Sequence, residues 1–212
     1  MNWLAHFALS PRRDRVRLGN WLPDLFGPAE LQLLADSEIQ AGVTLHRIID
    51  HATDRHPRVQ SSLQTLPPGL RRGGGIVLDV YWDHFLSRHF TQLTGESLEP
   101  FVKEVLHDLR QTQHLAPAGT AEVLAAMTAE AWLTSYATPE GVELTLTRIR
   151  RRLSPRAQDA FSPSLAREFL TEHHSALESA FHEIWRSVNS AVEARSGPLV
   201  SSDRDPEPGI GN

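Results

Sequence analysis

Residues 76–86, which read IVLDVYWDHFL, decide the fold class of this chain. In a helix, the apolar side chains of this stretch would surround the whole circumference, and such a helix is normally buried on all sides. Asp79 and Asp83 lie four residues apart and therefore share one face. Burying two stacked carboxylates is costly unless cations neutralise them. The spacing leaves arginine side chains and a divalent metal as equal candidates, and it leaves His84 as either a third ligand or a hydrogen-bonded core residue.

Outward from this stretch, apolar residues recur at helical spacing along nearly the whole chain, and no alternating β-branched run indicates a strand. Besides a short helix near residue 2, the predicted helices are 16–26, 38–55 with Ser37 as N-cap, 75–90, 98–112, 120–136, 139–153 and 163–194. The fold class is therefore predicted to be all-α. A single compact helical domain over 1–195 is expected, followed by a disordered, flexible tail over 196–212 that is rich in proline and glycine.

A second polar cluster lies on the predicted helix 38–55, where His46, Asp50 and Asp54 follow one another at four-residue spacing. Such a pair of neighbours can chelate one ion from one helix face. The alternative is a solvated face with weak charge pairing, and the cluster taken alone favours that alternative. Arg47 is next to these residues and is of a type suited to holding a phosphate oxygen. Two more polar residues stand among apolar neighbours, each a core residue or a ligand: His6 and Asp24.

Composition excludes several classes of function. With 22% charged residues and a formal net charge of −5, the chain is neither a basic nucleic-acid binder nor a disordered acidic tail. It has no cysteine, so any metal must be held by His, Asp or Glu, and a reducing cytoplasm suits it. No apolar run approaches the roughly 20 residues needed to cross a bilayer. The doublet His107-Asp108 lies beside the apolar face of its helix and is predicted to be solvent-exposed.

Four ordered blocks resemble the acyl carrier protein phosphodiesterase family: residues 1–6 (MNWLAH), 19–24 (GNWLPD), 42–54 (GVTLHRIIDHATD) and 78–88 (LDVYWDHFLSR). The resemblance implies an all-helical, HD-phosphohydrolase-like fold of an unconventional branch, dependent on a divalent metal with manganese preferred over Mg²⁺ or another ion. The chain departs from the ordinary HD pattern because its doublet on the buried helix is reversed, as Asp83-His84. A smaller departure is Phe90, where tryptophan is expected.

The resemblance also implies roles for the residues already singled out. The substrate would be holo-acyl carrier protein, hydrolysed to apo-carrier protein and 4′-phosphopantetheine, with no nucleic-acid or membrane partner. Arg47 would stabilise charge on the phosphate, and Asp54 or His6 would relay a proton. One or two Mn²⁺ ions would be held among His46, Asp50, Asp79 and Asp83, with His6, Asp24 and His84 as further ligands or as groups that orient them.

Acyl carrier proteins are strongly acidic, so their docking surface should be locally basic although the net charge is −5. Three arginine groups are candidates, or else ordinary solvated faces: Arg12, Arg13, Arg15 and Arg17; Arg71 and Arg72; and Arg148 with Arg150 to Arg152. Two other functions stay open. One is an HD-type phosphohydrolase acting on a nucleotide or another small phosphoester, which would cleave free nucleotides but not holo-carrier protein. The other is a non-catalytic helical module that binds carrier protein without releasing phosphopantetheine.

Overall fold

Helices account for all the regular structure that a computed structural model describes, which covers residues 1–159 and 161–200. In chain order they are α1 Trp3–Ala8, α2 Asp14–Trp21, α3 Pro28–Leu31, α4 Ser37–Asp54, α5 Pro57–Thr65, α6 Pro68–Arg71, α7 Gly74–Arg88, α8 Phe90–Thr94, α9 Leu98–Thr112, α10 Thr120–Ala129, α11 Trp132–Ser135, α12 Pro139–Arg152, α13 Pro155–Gln158, α14 Pro163–Glu172 and α15 His174–Val200. Short 3-10 turns cover Leu22–Asp24 and Gln113–Leu115. The all-α prediction is confirmed. The part of the predicted tail from 201 to 212 lies outside the described residues.

Helix α7 lies at the centre of the packing, as its apolar circumference predicts. Helices α1, α5, α12 and α15 pack against it. Its fully buried apolar side chains come from every side of the helix: Val77, Leu78, Val80, Tyr81, Trp82, Phe85 and Leu86. Asp83 and His84 are buried among them, whereas Asp79 keeps part of its surface in solvent. Among the described residues, no helix is long and apolar enough to cross a membrane.

Helices α2 and α4 approach each other unusually closely, because a glycine stands on each side of the contact. A Cβ atom on Gly19 would lie 2.0 Å from the carbonyl oxygen of Ile39, and one on Gly42 would lie 2.2 Å from that of Val16. Only glycine allows backbones to come so near. As a consequence, Asn20, the residue after Gly19, lies against the polar face of α4.

Gly19→Ala should therefore be strongly destabilising. The added methyl group would meet backbone rather than a movable side chain, so we expect a loss of about 3 kcal/mol in the free energy of unfolding. Gly75→Ala, where an added Cβ meets nothing within 4 Å, should be neutral or slightly stabilising. Urea denaturation of both variants checks this, and equal stability of the two would contradict it.

Local boundaries differ from the predictions for identifiable reasons. The predicted N-cap Ser37 is wrong: Asp36 caps α4, since its side chain accepts from the backbone N–H groups of Glu38 and Ile39. Pro57 begins a helix rather than merely following one, because proline fits the first helical turn. The predicted helix 120–136 is divided at Ala131, which adopts a left-handed φ of 49°, and 163–194 is divided between α14 and α15.

Candidate metal centre and adjoining cavity

Two histidines and one aspartate meet where α1 lies against α4. His6 Nε2 is 3.2 Å from Asp50 Oδ1, and His46 Nε2 is 3.0 Å from Asp50 Oδ2. The two imidazole rings stack with their centroids 4.2 Å apart. One ligand atom from each of the three residues lies within 4.8 Å of the others, the only such group of three or more in the described part of the chain. The i, i+4 spacing predicts the His46–Asp50 pair, and the structure adds His6 to it.

Asn20, which the sequence reasoning did not single out, orients both histidines. Its Oδ1 lies 2.9 Å from His6 Nδ1, and its backbone oxygen lies 2.8 Å from His46 Nδ1. The side-chain nitrogen Nδ2 of Asn20 donates to the backbone oxygen of His6 and to Ser10 Oγ. These two bonds fix which end of the side-chain amide is the oxygen. Because an oxygen can only accept, each Nδ1 must carry the proton. Each Nε2 of the neutral rings is therefore the nitrogen with the lone pair.

This arrangement leaves the cluster in need of positive charge. Both Nε2 atoms face oxygens of Asp50, and His6 Nε2 also lies 3.2 Å from the backbone oxygen of Met1. Lone pairs of neutral rings would thus point at the lone pairs of oxygen acceptors, which is repulsive. Two kinds of cation relieve the repulsion: a proton on each imidazole, or one metal ion bound between them. Neutral imidazole with an N–H held by a fixed acceptor is the form in which histidine binds metals.

Electrostatics within the cluster favour the charged form of its carboxylate. Burial acts against the charge on Asp50, but hydrogen bonds from His46 and His6, when each ring also carries a proton on Nε2, hold its pKa far below the ordinary value. Burial likewise acts against a charged His46, yet Asp50 and Asp24 raise the pKa of that ring. Asp24 lies 3.9 Å from His46 Nε2. Burial raises the pKa of Asp24, and the two histidines oppose that rise.

The carboxylates of α7 are neutralised in a way that the sequence did not indicate. Asp83 accepts from the backbone N–H groups of Leu4 at 2.7 Å and Ala5 at 3.2 Å, and Asp79 accepts from the α-ammonium group of Met1 at 2.8 Å. No described arginine side chain is paired with either. Asp83 thereby caps the first turn of α1, whose own N-cap residue, Asn2, makes no side-chain hydrogen bond to the helix backbone. The cluster of three contains neither aspartate, and a role of Asp79 and Asp83 as metal ligands beside His46 and Asp50 stays a prediction.

His84 also lies apart from the cluster. Its Nδ1 is 2.7 Å from the backbone oxygen of Tyr136, and its Nε2 is buried without a hydrogen-bond partner. Burial lowers the pKa of His84 to about 4, so the ring is neutral. The structure gives His84 the surroundings of a core residue, which was one of the two sequence interpretations.

Two residues with expected catalytic roles lie on the exposed side of α4. Arg47 is exposed and makes no hydrogen bond or ion pair with a described residue. Asp54 is exposed as well, and burial together with the negative charges of Asp79 and Asp50 raises its pKa. Both are free to contact a molecule that docks over the cluster.

Every arginine of the first basic group, residues 12, 13, 15 and 17, forms an ion pair within the protein. Arg12 pairs with Glu96 and Glu104, Arg13 with Glu38, and Arg15 with Asp36. Arg17 is fully buried and binds Glu104 and Asp108. Arg12 and Arg13 therefore do not form the free basic surface that was expected. Asp108 is partly buried in this pair rather than solvent-exposed, whereas His107 is exposed.

The second basic group remains accessible. Arg71 and Arg72 are both exposed at the end of α6, directly before α7. The Nε of Arg71 donates to the backbone oxygen of Leu66, and neither guanidinium is paired with a described carboxylate. These two arginines can meet an acidic partner without first breaking an ion pair.

A cavity of about 430 Å³ adjoins the cluster between α7 and α12. Asp24 and Asp79 line it, and Asp24 also neighbours His46 in the cluster. Its lining includes Arg148 and Arg152 as well, and both guanidinium groups lie over the ring of Trp132. The volume falls within the range of about 300–1,000 Å³ that is usual for small-molecule sites. The cavity is thus lined by both acidic and basic side chains, and Asp24 links it to the cluster.

Comparison with known proteins gives one consistent result. A family model described as acyl carrier protein phosphodiesterase matches residues 1–188. A protein of that name from Enterobacter sp. (strain 638) is 33% identical over 94% of this chain and 100% of its own length. Proteins of the same name from Yersinia enterocolitica and Pectobacterium atrosepticum are 32% and 30% identical, over 91% and 87% of this chain and 98% and 94% of their own lengths. No solved structure matches.

Proposed function

Because this chain belongs to the acyl carrier protein phosphodiesterase family, we propose that it hydrolyses the phosphodiester between 4′-phosphopantetheine and a serine of holo-acyl carrier protein. The products are apo-carrier protein and free 4′-phosphopantetheine. The observation that carries the proposal is the cluster of His6, His46 and Asp50, whose inward-facing lone pairs require a cation. It adjoins a cavity of suitable size for a small prosthetic group.

The donor set of the cluster suits a divalent metal. Two imidazole nitrogens and a carboxylate are ligands that Mn²⁺ and related ions accept. His6, His46 and Asp50 would hold the ion, with Asp24 close enough to His46 to contribute. The chemistry gained from a bound ion is a lowered pKa for the attacking water and polarisation of the phosphoryl oxygen. Manganese as the preferred ion, and a role in lipid metabolism, are parts of this proposal.

The chain's own residues supply orientation and charge. Asn20 holds both imidazole rings in the tautomer that presents Nε2 to the ion. Arg47, which is exposed and has no partner among the described residues, would meet a phosphate oxygen of the docked substrate. Asp54 has a raised pKa and can hold a proton for transfer. Asp79 lines the cavity and can contact the substrate there.

The acidic carrier protein would dock on Arg71 and Arg72, the exposed arginines before α7. Electrostatic docking of this kind raises the association rate and weakens with salt. We therefore expect kcat/KM for holo-carrier protein to fall steeply as NaCl is raised, and Arg71→Ala/Arg72→Ala to flatten that dependence. Turnover that is independent of salt in the wild-type protein would contradict this docking surface.

The direct test is a mass measurement on the carrier. Protein stripped of metal with a chelator is incubated with holo-carrier protein, with and without added Mn²⁺, and the carrier is weighed by mass spectrometry. We expect loss of the prosthetic-group mass only with Mn²⁺, and His107→Ala, a substitution of an exposed histidine away from the cluster, should behave like the wild type. Cleavage of free nucleotides without cleavage of holo-carrier protein would overturn the proposed substrate. Binding of carrier protein without any mass loss would overturn the proposed activity.

A further inference from the structure

One wall of the cavity is a single stripe of α12. Thr145, Arg148 and Arg152 recur at three- and four-residue spacing, which places them on the same helix face. Asp79 of α7 lines the same cavity. The proposed metal centre and docking surface use none of these three α12 residues.

Two hydrogen-bond donors on this stripe are buried without a partner. Thr145 is only 6% exposed, and its Oγ1 has no hydrogen-bond partner in the described protein. The same holds for Nη1 of Arg148, although its Nε lies 2.8 Å from Glu130. Buried polar groups in folded proteins are nearly always hydrogen-bonded. Orphaned donors on residues that line a cavity therefore favour a ligand that brings oxygen acceptors to them.

Arg152 adds a cation with an aromatic floor. Its guanidinium carbon lies 4.7 Å from the ring centroid of Trp132 and 5.9 Å from that of Trp3. No described carboxylate is paired with it, and burial lowers its pKa. Trp132 also contacts Arg148. The α12 wall thus combines hydrogen-bond donors that lack acceptors with the flat apolar ring of Trp132.

We propose that the cavity binds the 4′-phosphopantetheine arm of the substrate, with Thr145, Arg148 and Arg152 donating hydrogen bonds to oxygen atoms of the arm. The inference rests on the proposed function, since the arm must extend away from a phosphodiester held at His46 and Asp50. Asp24 lines the cavity and lies 3.9 Å from His46 Nε2, so the cavity is next to the cluster. Ile76 and Val80 also line the cavity, and a bare phosphate ion would leave them facing water. The arm has methyl and methylene groups for these surfaces and amide oxygens for the donors.

The first experiment measures binding of pantetheine, which lacks phosphate, to the full chain by calorimetry and tryptophan fluorescence. Thr145→Val and Arg152→Gln should each weaken binding about five- to tenfold, the loss expected for one hydrogen bond. Two matched substitutions on the outer faces of α12 should leave it unchanged: Thr147→Val, whose hydroxyl bonds within the helix, and Arg151→Gln, which is exposed. No detectable pantetheine binding to the wild type, or equal losses in the controls, would overturn the inference.

A second experiment separates this inference from the proposed activity. The ratio of kcat/KM for holo-carrier protein to that for a generic aryl phosphodiester should fall about tenfold in Thr145→Val and Arg152→Gln. Weaker inhibition by inorganic phosphate with unaltered pantetheine binding would overturn the inference, since the wall would then hold phosphate. If the wild type cleaves neither diester, the proposed activity fails, while the pantetheine measurement still decides the role of the cavity.

Discussion

Replacement of His46 by alanine should lower the Mn²⁺-dependent turnover of holo-carrier protein by about a thousandfold. The variant loses one of the two imidazole ligands and leaves Asp50 without its partner at 3.0 Å. A loss of about 4 kcal/mol in transition-state stabilisation, within the several kcal/mol that a catalytic metal supplies, corresponds to that factor. Binding of Mn²⁺, measured by calorimetry or by electron paramagnetic resonance, should weaken in parallel.

A second variant guards against a trivial folding defect, because His46 is buried. The side chain of Asp50 is 40% exposed, so Asp50→Asn changes charge with little effect on packing. It should remain folded, with a lower Tm because the charged carboxylate stabilises the fold, and it should bind Mn²⁺ weakly and show a comparable loss of turnover. Asn20→Ala should act less severely, by about 10- to 100-fold in Mn²⁺ affinity, since it orients ligands without being one. Undiminished Mn²⁺ binding in His46→Ala would remove the cluster as the metal site.

Replacement of Asp83 by alanine should produce the largest loss of stability among the polar substitutions. It would leave the buried N–H groups of Leu4 and Ala5 without acceptors and would open a small void in the core. We expect a loss of about 3 kcal/mol, which corresponds to a decrease in Tm of about 6 to 12 °C for a chain of this length. Calorimetry on metal-free protein measures this directly.

Two further variants, compared with Asp83→Ala, test whether Asp83 stabilises the fold or binds metal. Asp83→Asn keeps one oxygen acceptor and removes a buried charge whose pKa is raised by burial to about 7, so it should lose less stability than the alanine variant. Asp79→Ala removes a partly exposed carboxylate and should lose less again. An Asp83→Ala variant with an unchanged Tm but weakened Mn²⁺ binding would restore Asp83 as a metal ligand.

Features of this protein that depend on short-range interactions are predicted correctly by the sequence. The burial of α7 follows from its apolar circumference, and the contact of His46 with Asp50 follows from helical spacing, since both depend only on residues within a few turns. Helix bounds were less accurate at Ser37 and around Ala131. There a side-chain cap or a left-handed residue decides the boundary, and apolar periodicity does not report either.

Long-range contacts account for what the sequence left open. Asn20 was overlooked although it stands within one of the four recognised blocks, because its role depends on the close approach of α2 to α4. The sequence likewise did not determine which carboxylates pair with the arginines at 12, 13, 15 and 17. Arg17 reaches Glu104 and Asp108, which are distant in sequence, and a run of like charges does not reveal its partners.

The amino-acid sequence by itself determined an all-helical chain, a polar pair on α4, the buried carboxylate Asp83 on α7 and the family to which the chain belongs. Only the tertiary structure decided which positive or hydrogen-bonding groups meet those carboxylates. Asp83 meets the backbone of α1 and Asp79 meets the Met1 ammonium, while Asp50 meets His6 and His46. The physical reason is that a buried carboxylate must be hydrogen-bonded or paired with a positive charge, and this requirement can be read from the sequence. Which group meets the requirement depends on how helices that are distant in sequence pack together.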